Sequence, residues 1–156
     1  MGYIKLNADF FHRDALVVAE ELAGKVLARK LPDGTVKRIR ITETEAYRGE
    51  EDKGCHASKG RTPRTELLYG KSGRIYVDLC YGMHGLMNVI TGDEGEPQGV
   101  LFRAGEGAEG PARLTKALGI DKRFNGLSFI DNEEIWIEDD GRRFAIRTAP
   151  RVGIDY

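Results

Sequence analysis

The chain has few cysteines, no long apolar run and almost no net charge, and each shortage closes off a class of protein. Two cysteines, Cys55 and Cys80, in 156 residues are too few for a disulfide framework. Reduced thiols in a cytoplasmic protein are the simpler reading. The longest strongly apolar stretch, Ala15 to Ala19, is far short of the roughly 20 residues that a spanning helix needs. The N-terminus, MGYIKLNADFF, lacks the basic-then-apolar pattern of a secretory signal, and Leu6 breaks a myristoylation motif. A net charge of −1 is not that of a strongly basic nucleic-acid domain. No GxSxG, GxxxxGKS/T or HExxH pattern occurs, which removes the commonest serine-hydrolase, P-loop and metalloprotease readings. Cys55, His56, Cys80 and His84 have the wrong spacing for a compact zinc site.

What is present suits one globular domain, residues 1–156. A chain of this length buries roughly 70% of its unfolded surface without help from a metal or disulfide. Glycine is abundant, at 20 residues against about 11 expected from average usage, which favours turns and strands over a helical bundle. Residues 13–23, RDALVVAEELA, predict a helix ended by Gly24. Val26 to Leu31 predicts a strand, and Pro32-Asp33-Gly34 a turn into a hairpin partner at Val36 to Glu45. Residues 48–73 predict a long loop, with a short helical turn near Glu66 to Tyr69. Strands follow at Arg74 to Tyr81, Leu86 to Thr91 and Gly99 to Ala104, then a helix at Pro111 to Leu118 with Gly119 after it. A last hairpin is expected from Glu134 to Glu138 and Phe144 to Thr148. The fold class is α+β: one mixed domain with a curved, mostly antiparallel sheet, short helices and a protruding β-hairpin.

Three places in this outline carry chemistry. In Arg38 to Arg48, RIRITETEAYR, period two sets Ile39, Ile41, Glu43, Glu45 and Tyr47 on one face. That pattern points two carboxylates the same way as core isoleucines, and a buried carboxylate needs partners or a chemical use. Glu43 and Glu45 would stand roughly 7 Å apart, within reach of the spacing that inverting glycosidases use. The turn Tyr81-Gly82-Met83-His84 crowds aromatic and long apolar residues where Gly, Asn and Asp normally rule. Folded back it is a small satellite core; projecting outward it is a wedge of the kind inserted between base steps. Finally, Lys59 to Arg74 holds five basic residues and one acid, Glu66, a local excess that suits an anionic partner.

Taken together, ITETEAY (41–47), His56, GRTPR (60–64), IYVDLCYGMHGLMNVITG (75–92), VLFRA (100–104), GPARLTKALGI (110–120) and RVGIDY (151–156) resemble the alkyladenine DNA glycosylase family, also called 3-methyladenine DNA glycosylase of the AAG/MPG type. The resemblance runs in order along nearly the whole chain. It implies a monomeric, monofunctional enzyme with no cofactor or metal and no membrane association. Such an enzyme acts on double-stranded DNA in the cytoplasm, at the nucleoid in a bacterium. It flips a damaged purine (3-methyladenine, 7-methylguanine or hypoxanthine) out of the duplex and hydrolyses the N-glycosidic bond. By position, Glu45 is the implied general base, and Arg103 and the backbone of Val152 help to hold its water. Tyr47 and His56 wall the base pocket, and Asn88 crowds the exocyclic amine of normal guanine. Tyr81 fills the gap left by the flipped nucleotide, with Met83 beside it, and Arg61, Arg64 and Lys71 of the basic loop meet DNA phosphates. The sequence departs from the family pattern at Asp78, where the pocket usually has a second aromatic. It is also shorter than usual between Arg103 and Gly110, and ends at Tyr156 where members continue into a last strand. A lesion-binding protein on the same scaffold, weakly active or inactive, is the alternative expectation.

Overall fold

Asp14 opens the first substantial helix by accepting a hydrogen bond from the Leu16 N–H at 2.9 Å, which satisfies one of the helix's orphan donors. This is helix α2, Ala15–Leu22, and it buries Ala15, Val18, Ala19 and Leu22, the i, i+3, i+4, i+7 stripe of an amphipathic helix. The structure, a computed structural model, describes residues 4–48, 66–80 and 84–146. Its other α-helices are the short α1, Ala8–Phe11, and α3, Pro111–Leu118. The latter has Pro at its start and the left-handed Gly119 at its end, as its sequence predicts. No described helix is long and apolar enough to cross a membrane.

The strands are β1 Ile4–Lys5, β2 Val26–Lys30, β3 Val36–Arg48, β4 Ile75–Cys80, β5 His84–Ile90, β6 Gln98–Gly105, β7 Ala108–Glu109 and β8 Ile135–Asp139. They form one curled sheet in the order β1-β8-β2-β3-β6-β5-β4, with β7 pairing β6 beside this path. Every adjacent pair is antiparallel. The expected β2–β3 hairpin forms with Lys30 opposite Val36, its turn held by Asp33, which accepts from the Thr35 N–H and hydroxyl. The helical turn expected after the long loop is a 3-10 helix at Glu66–Tyr69. β4 and β5 pair from Ile75↔Val89 to Cys80↔His84; the tip of the expected protruding hairpin, 81–83, lies outside the described residues.

One face of the sheet and the helices enclose the main core. It joins Phe11, Val18 and Leu22 to Leu27, Ile41, Met87, Phe102, Leu118 and Phe129. The outer edge of β4 is closed by the segment after α3. The Ile75 N–H donates to the Leu127 carbonyl at 2.7 Å, the Val77 N–H to Asn125 Oδ1 at 2.8 Å, and the Gly126 N–H back to the Ile75 carbonyl at 2.8 Å.

Two expectations need correction. Among the described residues the last hairpin does not form: β8 is present, but residues 142–146 carry no strand, and 147–148 lie outside the described residues. Both edges of β8 are already taken, by β1 through Ile4↔Asp139 and by β2 through Leu27↔Ile137, so no edge is left for a following strand. Phe144 instead packs against Gly24, where a Cβ would fall 2.7 Å from its ring, and lies under the Arg40 guanidinium. The expectation that no G-x-G-x-x-G pattern is present is also wrong, since Gly105 to Gly110 spells one. It is no dinucleotide fingerprint, because it forms the turn between antiparallel β6 and β7 rather than a link in a parallel βαβ unit.

Two measurements test this packing. A Cβ at Gly105 would fall 2.4 Å from Ile39 Cγ2 and 3.1 Å from both the Arg40 carbonyl and Leu114 Cδ1. Gly105→Ala should therefore cost about 1–3 kcal/mol in urea unfolding, the usual penalty of overpacking. Separately, hydrogen bonding from Arg40 holds the Asp140 carboxyl down at about 2, from an ordinary 3.8. A depressed folded-state value stabilises above the unfolded value and is lost as pH falls through the folded one. Asp140→Asn should thus be less stable than wild type at pH 6, by about 1 kcal/mol, with the gap closing between pH 4 and pH 2; unfolding midpoints across that range check it.

Candidate active site

The pairing of β3 with β6 slips twice and then recovers. Ile41 lies opposite Gly105, Glu43 opposite Ala104, and Thr44 opposite Phe102. Thr42 is the extra residue on β3 and Arg103 the extra residue on β6. Each bulge adds one residue to its strand, and because side chains alternate, one added residue reverses the faces beyond it. Ile39 and Ile41 lie in the main core. Past the bulge it is Thr44 and Ala46 that turn to that side. The Thr44 hydroxyl donates to the Ala19 carbonyl of α2 at 2.8 Å, and Ala46 packs on the core. Glu45 and Tyr47 face away from it. The strict alternation that put the isoleucines and carboxylates on one face is therefore corrected by the Thr42 bulge.

The face so created is a second, smaller assembly. Tyr76, Asn88, Leu101 and Glu45 stand opposite one another in a row across β4, β5, β6 and β3. Tyr47 packs against a cluster of Leu68, Tyr69, Tyr76 and Ile90. Glu45 is only 7% exposed, and each oxygen of its carboxylate accepts a hydrogen bond. Arg103 Nη1 donates to Oε1 at 3.1 Å and the Tyr47 hydroxyl donates to Oε2 at 2.6 Å. Arg103 Nε also lies 3.9 Å from the Glu43 carboxylate, whose side chain is 58% exposed. The two glutamates therefore differ sharply: one is buried and doubly bonded, the other is at the surface. They share an arginine and are not a matched acid–base pair.

Asn88 is buried, and its amide nitrogen donates to the carbonyls of Tyr76 at 3.2 Å and Leu86 at 3.0 Å. Both amide protons are used, so the oxygen is the group left for another donor. Asp78 is buried on the same face of β4 as Tyr76, opposite Leu86. Of the residues singled out from sequence, Glu45, Tyr47, Arg103, Asn88 and Asp78 thus share one side of the sheet, and Lys71 is exposed on the loop before β4. His56, Arg61, Arg64, Tyr81, Met83 and Val152 lie outside the described residues. Among the described residues no group of three or more His, Cys, Asp or Glu could hold a metal. Sequence reading gave no role to Tyr69 and Tyr76, whose rings form the wall that supports Tyr47. The signal for Tyr76 was present, since it alternates with Ile75 and Val77, both in the main core.

A family model described as methylpurine-DNA glycosylase (MPG) matches residues 9–109 and 106–156. The chain belongs to that family. Relatives named "Putative 3-methyladenine DNA glycosylase" align over almost all of it. The one from Methanocella arvoryzae is 41% identical over 171 residues, covering 97% of this chain and 85% of the relative. That from Desulfitobacterium hafniense is 42% identical over 180 residues, covering 97% and 88%. That from Anaeromyxobacter dehalogenans is 44% identical over 162 residues, covering 98% and 77%. The two segments of the family match meet at 106–109, in the tight β6–β7 connection.

The Glu45–Arg103 pair yields a stability test. Removing one partner of a buried pair strands the other charge. Arg103→Met should lower stability at neutral pH by about 1–3 kcal/mol. Adding Glu45→Gln to that variant should restore part of the loss, as a double-mutant cycle in urea would show.

Proposed function

We propose that this chain is a base-excision DNA glycosylase. It turns damaged purines, 3-methyladenine, 7-methylguanine and hypoxanthine, out of double-stranded DNA and cleaves their N-glycosidic bond with water. The observation that carries this reading is Glu45: a buried carboxylate held by Arg103 and Tyr47, on a sheet face shared with Asn88, in a chain of the methylpurine-DNA glycosylase family.

The chemistry follows from that geometry. A carboxylate oxygen has lone pairs beyond the one each donor occupies, so Glu45 can still accept a proton from water. As the C1′–N bond breaks, its electron pair leaves with the purine and positive charge develops on the sugar. The water oxygen bonds to C1′, and its proton passes to Glu45. A negative group in a water-poor site acts strongly on that developing charge. Arg103 and the backbone of Val152 orient the water. Asn88 lies two strands from Glu45, about 10 Å at ordinary strand spacing, so a planar base can lie between them. Tyr47 and His56 form its walls, and Asn88 excludes the exocyclic amine of guanine. Asp78, in place of an aromatic, favours alkylated purines that carry a positive charge over neutral hypoxanthine. Tyr81 and Met83 fill the space left in the duplex, which offsets the few kcal/mol of flipping. Arg61, Arg64 and Lys71 position the protein on phosphates without reading sequence. The protein works as a single-domain monomer, shortened between Arg103 and Gly110, and needs no metal.

Glu45→Gln keeps the shape and loses the base. Excision from a duplex carrying one damaged purine should fall by at least about a hundredfold, with binding to that duplex retained. Near-normal excision by the variant rules the assignment out. No excision by wild type on any of the three lesions, with binding intact, makes the chain a lesion-binding protein instead.

A further inference from the structure

We propose that the Tyr47 hydroxyl is a positioning group for Glu45, so that one residue both supports the base and sets the carboxylate that reacts. This rests on the glycosylase reading above and adds a role for the hydroxyl, separate from that of the ring.

The geometry is specific. Tyr47 and Glu45 are two residues apart on β3, beyond the Thr42 bulge, and therefore share a face. The hydroxyl donates to Oε2 at 2.6 Å, within the ordinary range of a charge-assisted hydroxyl-to-carboxylate bond. The ring is fixed by the Leu68, Tyr69, Tyr76 and Ile90 cluster, so the donor is held from behind by packing. Arg103 fixes the other oxygen, Oε1, at 3.1 Å. A glutamate side chain has three rotatable bonds, and a carboxylate bound at one oxygen alone can still pivot about that contact. Bound at both, from two different strands, its plane is set before substrate arrives. Preorganised groups of this kind need no rearrangement when charge develops.

The arrangement also ties occupancy to orientation. A base stacked against the Tyr47 ring presses on the same side chain that orients Glu45. A base that displaces the ring, through bulk or a tilted pose, draws the hydroxyl away and leaves the carboxylate held at one oxygen. Fit of the base and placement of the carboxylate then read through a single residue.

Tyr47→Phe separates the two roles, because it keeps the ring and its packing and removes only the donor. The test is single-turnover excision from a duplex carrying one hypoxanthine, at several enzyme concentrations, for wild type, Tyr47→Phe, Glu45→Gln and the double variant. The expected result for Tyr47→Phe is a maximal rate lower by about tenfold or more, the scale of a hydrogen bond to a charged group, with half-saturation unchanged. Glu45→Gln and the double variant should then be equally slow, since the hydroxyl acts only through the carboxylate. A Tyr47→Phe rate within about twofold of wild type overturns the proposal. So does a rate loss that comes with weakened half-saturation, or one that repeats in full on top of Glu45→Gln; either assigns Tyr47 to packing or binding. A fully active Glu45→Gln instead overturns the underlying glycosylase reading, whatever Tyr47→Phe does.

Discussion

The offset bulges at Thr42 and Arg103 let β3 serve two interiors. Before them, Ile39 and Ile41 enter the main core; after them, Thr44 and Ala46 do. Without the reversal, Glu45 would point into that core among Val18, Leu22 and Phe102, where an unpartnered charge costs several kcal/mol. With it, Glu45 points to the opposite face and meets the arginine that the second bulge delivers. The same distortion that turns the carboxylate out of the core supplies its counter-charge from the neighbouring strand. Bulges next to functional sites are common for this reason, since they re-aim a side chain without ending the sheet.

The division of labour between the two faces follows. The main core is almost wholly aliphatic and phenylalanine, the side chains that fill space without asking for hydrogen bonds. The opposite face carries Tyr47, Tyr69, Tyr76, Glu45, Asn88 and Asp78, each with an apolar part to pack and a polar atom to place. Asn88 shows how such a face keeps order. Its amide is tied to two backbone carbonyls of the β4–β5 pair, so its orientation is fixed by the sheet itself. A site built on strands in this way is more exact than one built on loops.

Much of this was open to reading from the residues. Turn chemistry at Asp33-Gly34 and the Pro111 and Gly119 boundaries are local signals, and the elements they bound are where those signals put them. The resemblance brought Glu45, Arg103, Tyr47, Asn88 and Asp78 together before any coordinates did. The Thr42 bulge was not readable, because alternation is a rule about one strand, while a bulge is decided by how two strands share a register. Nor could composition say that β8 lies between β1 and β2. That strand order depends on contacts between residues a hundred or more positions apart, such as Arg38 with Glu138 and Leu27 with Ile137. The pattern at Phe144 to Ile146 suits a strand, yet β1 and β2 already hold the two edges of β8, its expected partner.

The segment that closes the outer edge of β4 has a meaning beyond local hydrogen bonding. An open strand rich in Ile, Tyr, Val and Leu, as β4 is, is a template onto which another chain can add, the first step toward aggregation. Here Leu127 and the Asn125 side chain occupy donors of that edge, and the residues doing so belong to a coil that cannot itself extend the ladder. The sheet therefore ends in a stop along Ile75 to Val77, the first half of β4. A second copy of the chain cannot then add its own strand along Ile75 to Val77.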